Sequence, residues 1–285
     1  MVKIISDSTS DLSPELLERY GIEILPLHII LGEADYLDGQ GITPDELYRW
    51  SDEAKTCPKT AAVSLEAAKA ALMPHVSRGD EVVCFTISSS MSSTYQVLCM
   101  AAHQLHADAL VHVIDSQSLS TGVGLQVIAA AEMAQAGCTG AEIAAKVGAL
   151  RPRVRASFVV DTLVYLHRGG RCSSVSALMG GALKLHPRIN VTDGKMGAAK
   201  KYRGRMDRVL HNYVEDLMPE LSKAETGHVF ITHSGCDEAI LADIRAMLEG
   251  MHRFGEIHIT RAGGVISSHC GPGTLGVLFI AGEQS

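Results

Sequence analysis

The stretch VVCFTISSSMSSTYQVLCMAAHQL, residues 82–105, decides the fold. Residues 82–87 are a short, almost wholly apolar run rich in β-branched side chains, and residues 94–105 carry apolar side chains at helical spacing, so the stretch reads strand, loop, helix. Five serines, Ser88, Ser89, Ser90, Ser92 and Ser93, fill the loop. They lead into a helix N-terminus, where backbone N–H groups lack intrahelical partners and the helix dipole favours negative charge. That is an anion site in outline. A hydroxyl of Ser92 or Ser93 serving only as the helix N-cap would produce the same pattern.

Outward from this unit, strands and helices alternate. Residues 2–5 read as a strand, followed by a helix that Ser13 and Pro14 start and Gly21 stops. Residues 22–31 form a second apolar run, broken at Pro26, and Thr43-Pro44-Asp45-Glu46 is a capping box with proline at the first helical position. Ser64 caps an Ala-rich helix that Pro74 bends or ends. Beyond the central unit come a strand over 110–114, the segment SQSLSTGVG, a helix near 121–136, and a second capping box, Thr139 with Glu142, opening a helix to about 150. A basic, proline-containing segment at 151–155 marks a boundary between lobes 1–152 and 153–285. In the second lobe a strand over 158–160 precedes the Gly-rich link TLVYLHRGGRCSS and an Ala/Leu/Met/Gly helix ending near Leu185. Asp193-Gly194 then sits between two strand-like arms, the signature of a type I′ hairpin. An amphipathic helix over 206–221, strands over 229–232, 257–260 and 277–281, and a helix near 237–252 complete the chain. The expectation is an α/β protein of two lobes, each a mainly parallel sheet with flanking helices, with a small-molecule cleft between them.

Composition narrows the function. The 285 residues carry 25 basic and 32 acidic side chains, a formal charge of −7, and so lack the basic face that general nucleic-acid binding requires. Seven cysteines, an odd number without a C-x-x-C pair, predict neither a disulfide framework nor a zinc knuckle, and suit a reducing cytoplasm. MVKIISDSTSDL lacks a signal-peptide apolar region and no apolar run approaches a bilayer span, so a soluble cytoplasmic protein is expected. Aromatics are 5% of a chain that is 46% apolar, which makes the core chiefly aliphatic. His103 and His106 lie three apart on a helix but lack a third ligand, and no metal is expected. Lys200, Lys201, Arg203, Arg205 and Arg208 form a local basic patch that suits an acidic partner face or phosphates, and equally a solvated hairpin and helix end.

Three polar segments at predicted strand ends stand apart: PKTAAVS around Thr60, SSSMSSTYQ around Ser92 and SSHCGPGTLG around His269. Each sets a short hydroxyl or imidazole beside small residues that let a ligand approach. Two hydroxyls and an imidazole suffice to hold a carboxylate whose burial would otherwise be expensive. His269 could also shuttle a proton near neutral pH; as one of 13 histidines, it fits a plain structural role as well.

The motifs DSTSDL at 7–12, PKT at 58–60, SSMSSTYQ at 89–96, TLVYLHRGGR at 162–171 and SHCGPGTLG at 268–276 occur in the order of the DegV family motifs. The chain resembles that family over nearly its whole length. DegV proteins are bacterial fatty-acid-binding proteins that serve fatty acid kinase as its acyl-carrying subunit. The resemblance implies a two-lobed DegV-like fold with a ligand tunnel between sheet ends and lobes, and a fatty acid in it. It also implies that Thr60 and Ser92 hydrogen-bond the carboxylate together with the backbone at Ser93, and that His269 supports the site and the phosphate transfer made by the kinase. Arg171 and Arg203 match family arginines associated with phosphotransfer or kinase docking. Two departures bear on acyl-chain preference. The family usually reads TSQPS where this chain has Thr60-Ala61-Ala62-Val63-Ser64, and SGT where it has Ser92-Ser93-Thr94. A glycine-to-serine change is strained only where φ is positive.

The function so implied is a non-catalytic carrier. It would bind a long-chain fatty acid, present the carboxylate for conversion to acyl phosphate in phospholipid synthesis, need no cofactor, and act as a monomer with at most transient contact with a membrane surface. Burying some 15 methylenes at about 0.8 kcal/mol each gives on the order of 12 kcal/mol gross. Association costs remove several to more than ten of these. The apolar wall therefore needs the hydroxyl cluster as well, and admitting the chain needs a gate, expected at the helix following SLSTGVG or the chain around it. The competing reading is a serine/histidine-dependent lipid hydrolase or acyltransferase using Ser92 and His269. G-x-S-x-G is absent and no third triad member can be named.

Overall fold

A computed structural model of the chain describes residues 1–176 and 185–283. In chain order the elements are β1 (Val2–Asp7), α1 (Pro14–Tyr20), β2 (Glu23–Leu25), β3 (His28–Leu31), β4 (Ala34–Leu37), α2 (Pro44–Ala54), β5 (Lys59–Ala61), α3 (Leu65–Val76), β6 (Glu81–Thr86), α4 (Thr94–Gln104), β7 (Val111–Asp115), α5 (Thr121–Gln135) and α6 (Gly140–Leu150). There follow β8 (Val154–Val159), α7 (Val164–Gly169), α8 (Ser173–Ser176), β9 (Leu185–Thr192), β10 (Lys195–Arg203), α9 (Met206–Leu221), β11 (Ala224–His233), α10 (Glu238–Glu249), β12 (Glu256–Arg261), α11 (Gly264–Cys270) and β13 (Leu275–Ala281). The Ala/Leu/Met/Gly helix expected before Leu185 falls on 177–184, outside the described residues.

The opening stretch sits where its composition puts it. Strand β6 is central in a parallel sheet of order β2-β1-β6-β7. Val82, Val83, Cys84 and Phe85 are wholly buried, as a strand covered on both faces must be. Local signals hold as well. Thr43 and Thr139 make full capping boxes with Glu46 and Glu142, and Pro74 lies in the last turn of α3. Pro26 separates β2 and β3, which join different sheets, β3 lying in an antiparallel three-stranded sheet of order β4-β3-β5. The segment read as a Gly-rich link contains a helix, α7, which Gly170 ends in the left-handed region at φ 68°.

The second half corrects one expectation. Its six-stranded sheet, of order β10-β9-β8-β13-β11-β12, is mostly antiparallel and only β11 and β12 run parallel. Strand–helix alternation suggested crossovers, but β13 returns between β8 and β11. The β9–β10 hairpin turns at Asp193 and Gly194, φ 49° and 75°, as a type I′ turn requires.

Helix α5 lies between the two large sheets. Val123, Leu125, Val127 and Ile128 join Ile4 and Phe85 from one sheet and Ala156, Phe230 and Leu278 from the other in a single apolar cluster. A helix apolar on every side belongs in a core, and its small residues let it fit there. A Cβ at Gly124 would stand 2.9 Å from the Ser10 carbonyl oxygen and 2.8 Å from Leu12 Cδ2. Moving α5 would disturb the packing that joins the sheets, which argues against the helix itself as the gate and leaves the chain around it. Among the described residues no helix is long and apolar enough to cross a membrane, and the seven cysteines are free thiols.

Candidate functional site

A cavity of about 340 Å³ opens where the ends of the three sheets meet, within the range of small-molecule sites. Its wall is mostly apolar: Leu27, Ile87, Met91, Leu119, Phe158, Leu166, Met196, Val265, Ile266 and Leu278 contribute side chains from both halves of the chain. Thr60, Ser92, Ser93, Arg171 and His269 line it as well. Polar side chains separated by up to 209 residues, Thr60 and His269, therefore meet at one void.

The closest of these meetings is Thr60 Oγ1 with His269 Nε2, at 2.8 Å. Thr60 is presented by β5, which pairs with β3 opposite Ile29. His269 stands in the last turn of α11, partly buried, with Nδ1 lacking a partner among the described residues. Burial first, and then the nearby Arg171 charge, push its pKa down to about 4, so the ring is neutral at pH 7. Arg171 is tethered through its guanidinium, Nε donating to the Met91 carbonyl at 3.4 Å and Nη1 to that of Gly169 at 2.8 Å.

The serine loop divides its labour. Ser88 donates to the Gly194 carbonyl at 2.7 Å, tying the loop to the β9–β10 turn, and Ser89 donates to Asp115 at 2.5 Å. These two build the loop. Ser92 Oγ accepts from the Thr94 N–H at 3.3 Å and lies 2.9 Å from Thr94 Oγ1. Ser93 is the N-cap position of α4 but makes no side-chain capping bond, and its φ of −83° is open to any residue. A serine at this position therefore carries no backbone strain.

The polar groups elsewhere on the wall are already engaged. Ser234 donates to the Gly271 carbonyl and accepts from Thr274 N–H, His233 Nδ1 accepts from Gly235 and Cys236, and Thr232 is bonded to Thr121 and Thr260. Thr60, Ser92, Ser93 and Arg171 bring hydroxyl, backbone and guanidinium groups to the same cavity as His269. Arg203 is an exposed residue at the end of β10 and does not line the cavity. Of its basic neighbours, Lys200 pairs with Asp216 and Arg205 with Asp207.

Sequence reading passed over the residues that hold His269 in place. Asp11 accepts from the Gly263 N–H and Asp38 from the Gly264 N–H, each at 2.8 Å, so two carboxyls pin the N-terminus of α11. Ser120 donates to Asp11 at 2.6 Å, and Asp7 accepts from the Ile87 N–H at 2.8 Å. Burial raises all three, Asp7 to about 6 and Asp11 to about 8. DSTSDL is thus a clamp on the site's scaffold. Gly169 is the other omission: it packs against His269 Nδ1 with no room for a Cβ. The RGGR pair was the visible signal.

Residues 1–282 match the family model described as "Uncharacterised protein, DegV family". The chain is 32% identical over 285 residues to a DegV domain-containing protein of Caldanaerobacter subterraneus, covering 98% of each chain. It is 36% identical over 203 residues to one of Clostridium perfringens, 71% of this chain and 72% of that one. Among solved structures it matches a fatty-acid-binding DegV family protein of Thermus thermophilus at TM-score 0.90 and 30% identity, over 98% of this chain and 99% of that one. A stearic-acid-binding protein of Eubacterium ventriosum matches at TM-score 0.85 and 30% identity, over 99% and 98%. A match running from the first residue to the last strand, with the fold reproduced throughout, means that this chain belongs to the DegV family.

Proposed function

We propose that this protein binds a long-chain fatty acid in the cavity, with the carboxylate held by Thr60, Ser92, the Ser93 backbone and Arg171 beside His269. The observation that carries this reading is the cavity itself: a mostly apolar wall on which Thr60, Ser92, Ser93 and Arg171 share one void with His269. A carboxylate accepts only, and takes two or more hydrogen bonds when buried. The fatty acids bound by the Thermus and Eubacterium proteins support the same ligand class. We further propose that the carboxylate is offered to a fatty acid kinase, which transfers a phosphoryl group to it and forms acyl phosphate. In this scheme Arg171 serves the transfer and exposed Arg203 the docking, the lobes 1–152 and 153–285 enclose the chain, and the protein works as a cytoplasmic monomer.

The hydrolase reading fits less well. Ser92 Oγ is engaged with Thr94, the Nε2 that would serve as base faces Thr60, and no carboxylate orients Nδ1. Denaturing mass spectrometry of lipid extracted from the purified protein tests the carrier. A fatty acid near one per chain is expected, and an empty protein that turns over an ester would overturn the proposal.

A further inference from the structure

Away from the cavity, at the outer edge of the six-stranded sheet, strands β11 and β12 pair in parallel with His228 opposite Glu256. Side chains alternate along a strand, so His258, two residues beyond Glu256, shares their face. The result is a close group: His228 Nδ1 lies 3.0 Å from His258 Nε2, and Glu256 Oε2 lies 3.8 Å from that same nitrogen. One ligand atom from each residue falls within 4.8 Å of the other two. Ligands around a tetrahedral ion with bonds of 2.0–2.1 Å stand roughly 3.3 Å apart, so only small shifts separate this group from coordination.

The surroundings suit a metal ion. A ligating imidazole usually gives its second N–H to a carboxylate, which fixes the tautomer. His228 Nε2 faces Glu132 Oε1 of α5 at 3.3 Å, leaving the Nδ1 lone pair turned toward His258. Glu132 is held by the Tyr20 hydroxyl at 3.2 Å, and Glu256 by a two-pronged bond from Arg19 at 2.7 and 2.8 Å. The His258 ring stacks on Phe230 at 4.6 Å. Both imidazoles are mostly buried, with side-chain exposures of 15% and 13%.

We infer that His228, His258 and Glu256 bind a transition-metal dication of the zinc class, with a fourth position left to water. Two imidazoles and one carboxylate favour such an ion over magnesium or calcium, which take oxygen ligands. An ion here would strap the edge of the sheet to α1 and α5 through Arg19 and Glu132.

The test uses the full chain, stripped with a chelator and titrated with Zn²⁺ against a chromophoric competitor. Wild type is expected to bind one Zn²⁺ at least about a hundredfold more tightly than the His228→Ala/His258→Ala double variant. Glu132→Gln should lose about tenfold or more, while His103→Ala/His106→Ala, an exposed pair, should match wild type. Equal binding by wild type and the H228A/H258A variant overturns the site. Should that variant not fold, Co²⁺ added to wild type decides. Intense visible bands of four-coordinate cobalt support the site, and the pale spectrum of a six-coordinate aqua ion refutes it.

Discussion

Replacing Gly169 by alanine tests how the cavity holds its head-group residues. A Cβ built at 169 comes within 3.0 Å of His269 Nδ1, while ordinary contact begins at 3.4 Å, so the imidazole must give way by at least 0.4 Å. It cannot retreat toward Thr60, because Nε2 is already 2.8 Å from Oγ1. The ring therefore tilts and the Thr60–His269 bond is lost. Leaving such a pair unmade inside a protein costs about 1–3 kcal/mol, which predicts a loss of fatty-acid affinity of about tenfold to a hundredfold, read by displacement of a fluorescent fatty acid. Gly170→Ala is the control. Gly170 has φ +68° and none of the described residues within 4 Å of an added Cβ, so alanine there adds backbone strain of about 1–2 kcal/mol without touching His269. The expected pattern is Gly169→Ala weakening binding with a modest change in Tm, and Gly170→Ala lowering Tm while sparing affinity. Equal affinity in Gly169→Ala and wild type, or an equal loss in both variants, would refute the reasoning.

Other perturbations separate the remaining roles. Thr60→Val keeps the shape and removes the hydroxyl facing His269 Nε2; affinity should fall about tenfold, with the chain-length profile unchanged in the displacement assay. Arg171→Ala should weaken fatty-acid binding, whereas Arg203→Ala, outside the cavity, should leave binding intact and lower the acyl phosphate yield in an assay reconstituted with the proposed kinase. Ala262→Leu fills part of the cavity and should shift preference to shorter chains by about 0.8 kcal/mol per methylene excluded, seen as a changed lipid profile by mass spectrometry. Asp11 is raised by burial from 3.8 to about 8, so its contribution to stability is full below 3.8 and lost as pH rises toward 8. Asp11→Asn should therefore hold its denaturation midpoint from pH 5 to 9 better than wild type, and a parallel pair of profiles would remove Asp11 from the clamp. His269, depressed to about 4, works in the opposite sense. Its contribution is present above 6.5 and lost as pH falls toward 4, so His269→Gln should flatten the acid limb alone.

What the sequence determined by itself is local. Capping at Thr43 and Thr139, the turn at Asp193-Gly194 and the apolar run of β6 each depend on residues a few positions apart, and all stand where the pattern put them. The family motifs pointed further, to Thr60, Ser92, Ser93, Arg171 and His269, which share one cavity. Tertiary structure alone decided the direction of β13, the burial of α5 between two sheets, and the anchoring of α11 by Asp11 and Asp38. Strand direction depends on which partners a strand meets, and a hydrogen bond between Asp11 and Gly263 spans 252 residues. No local spacing encodes either one. They exist because burying two apolar sheet faces against one helix brings distant segments together, and the buried polar groups that meet there must be satisfied.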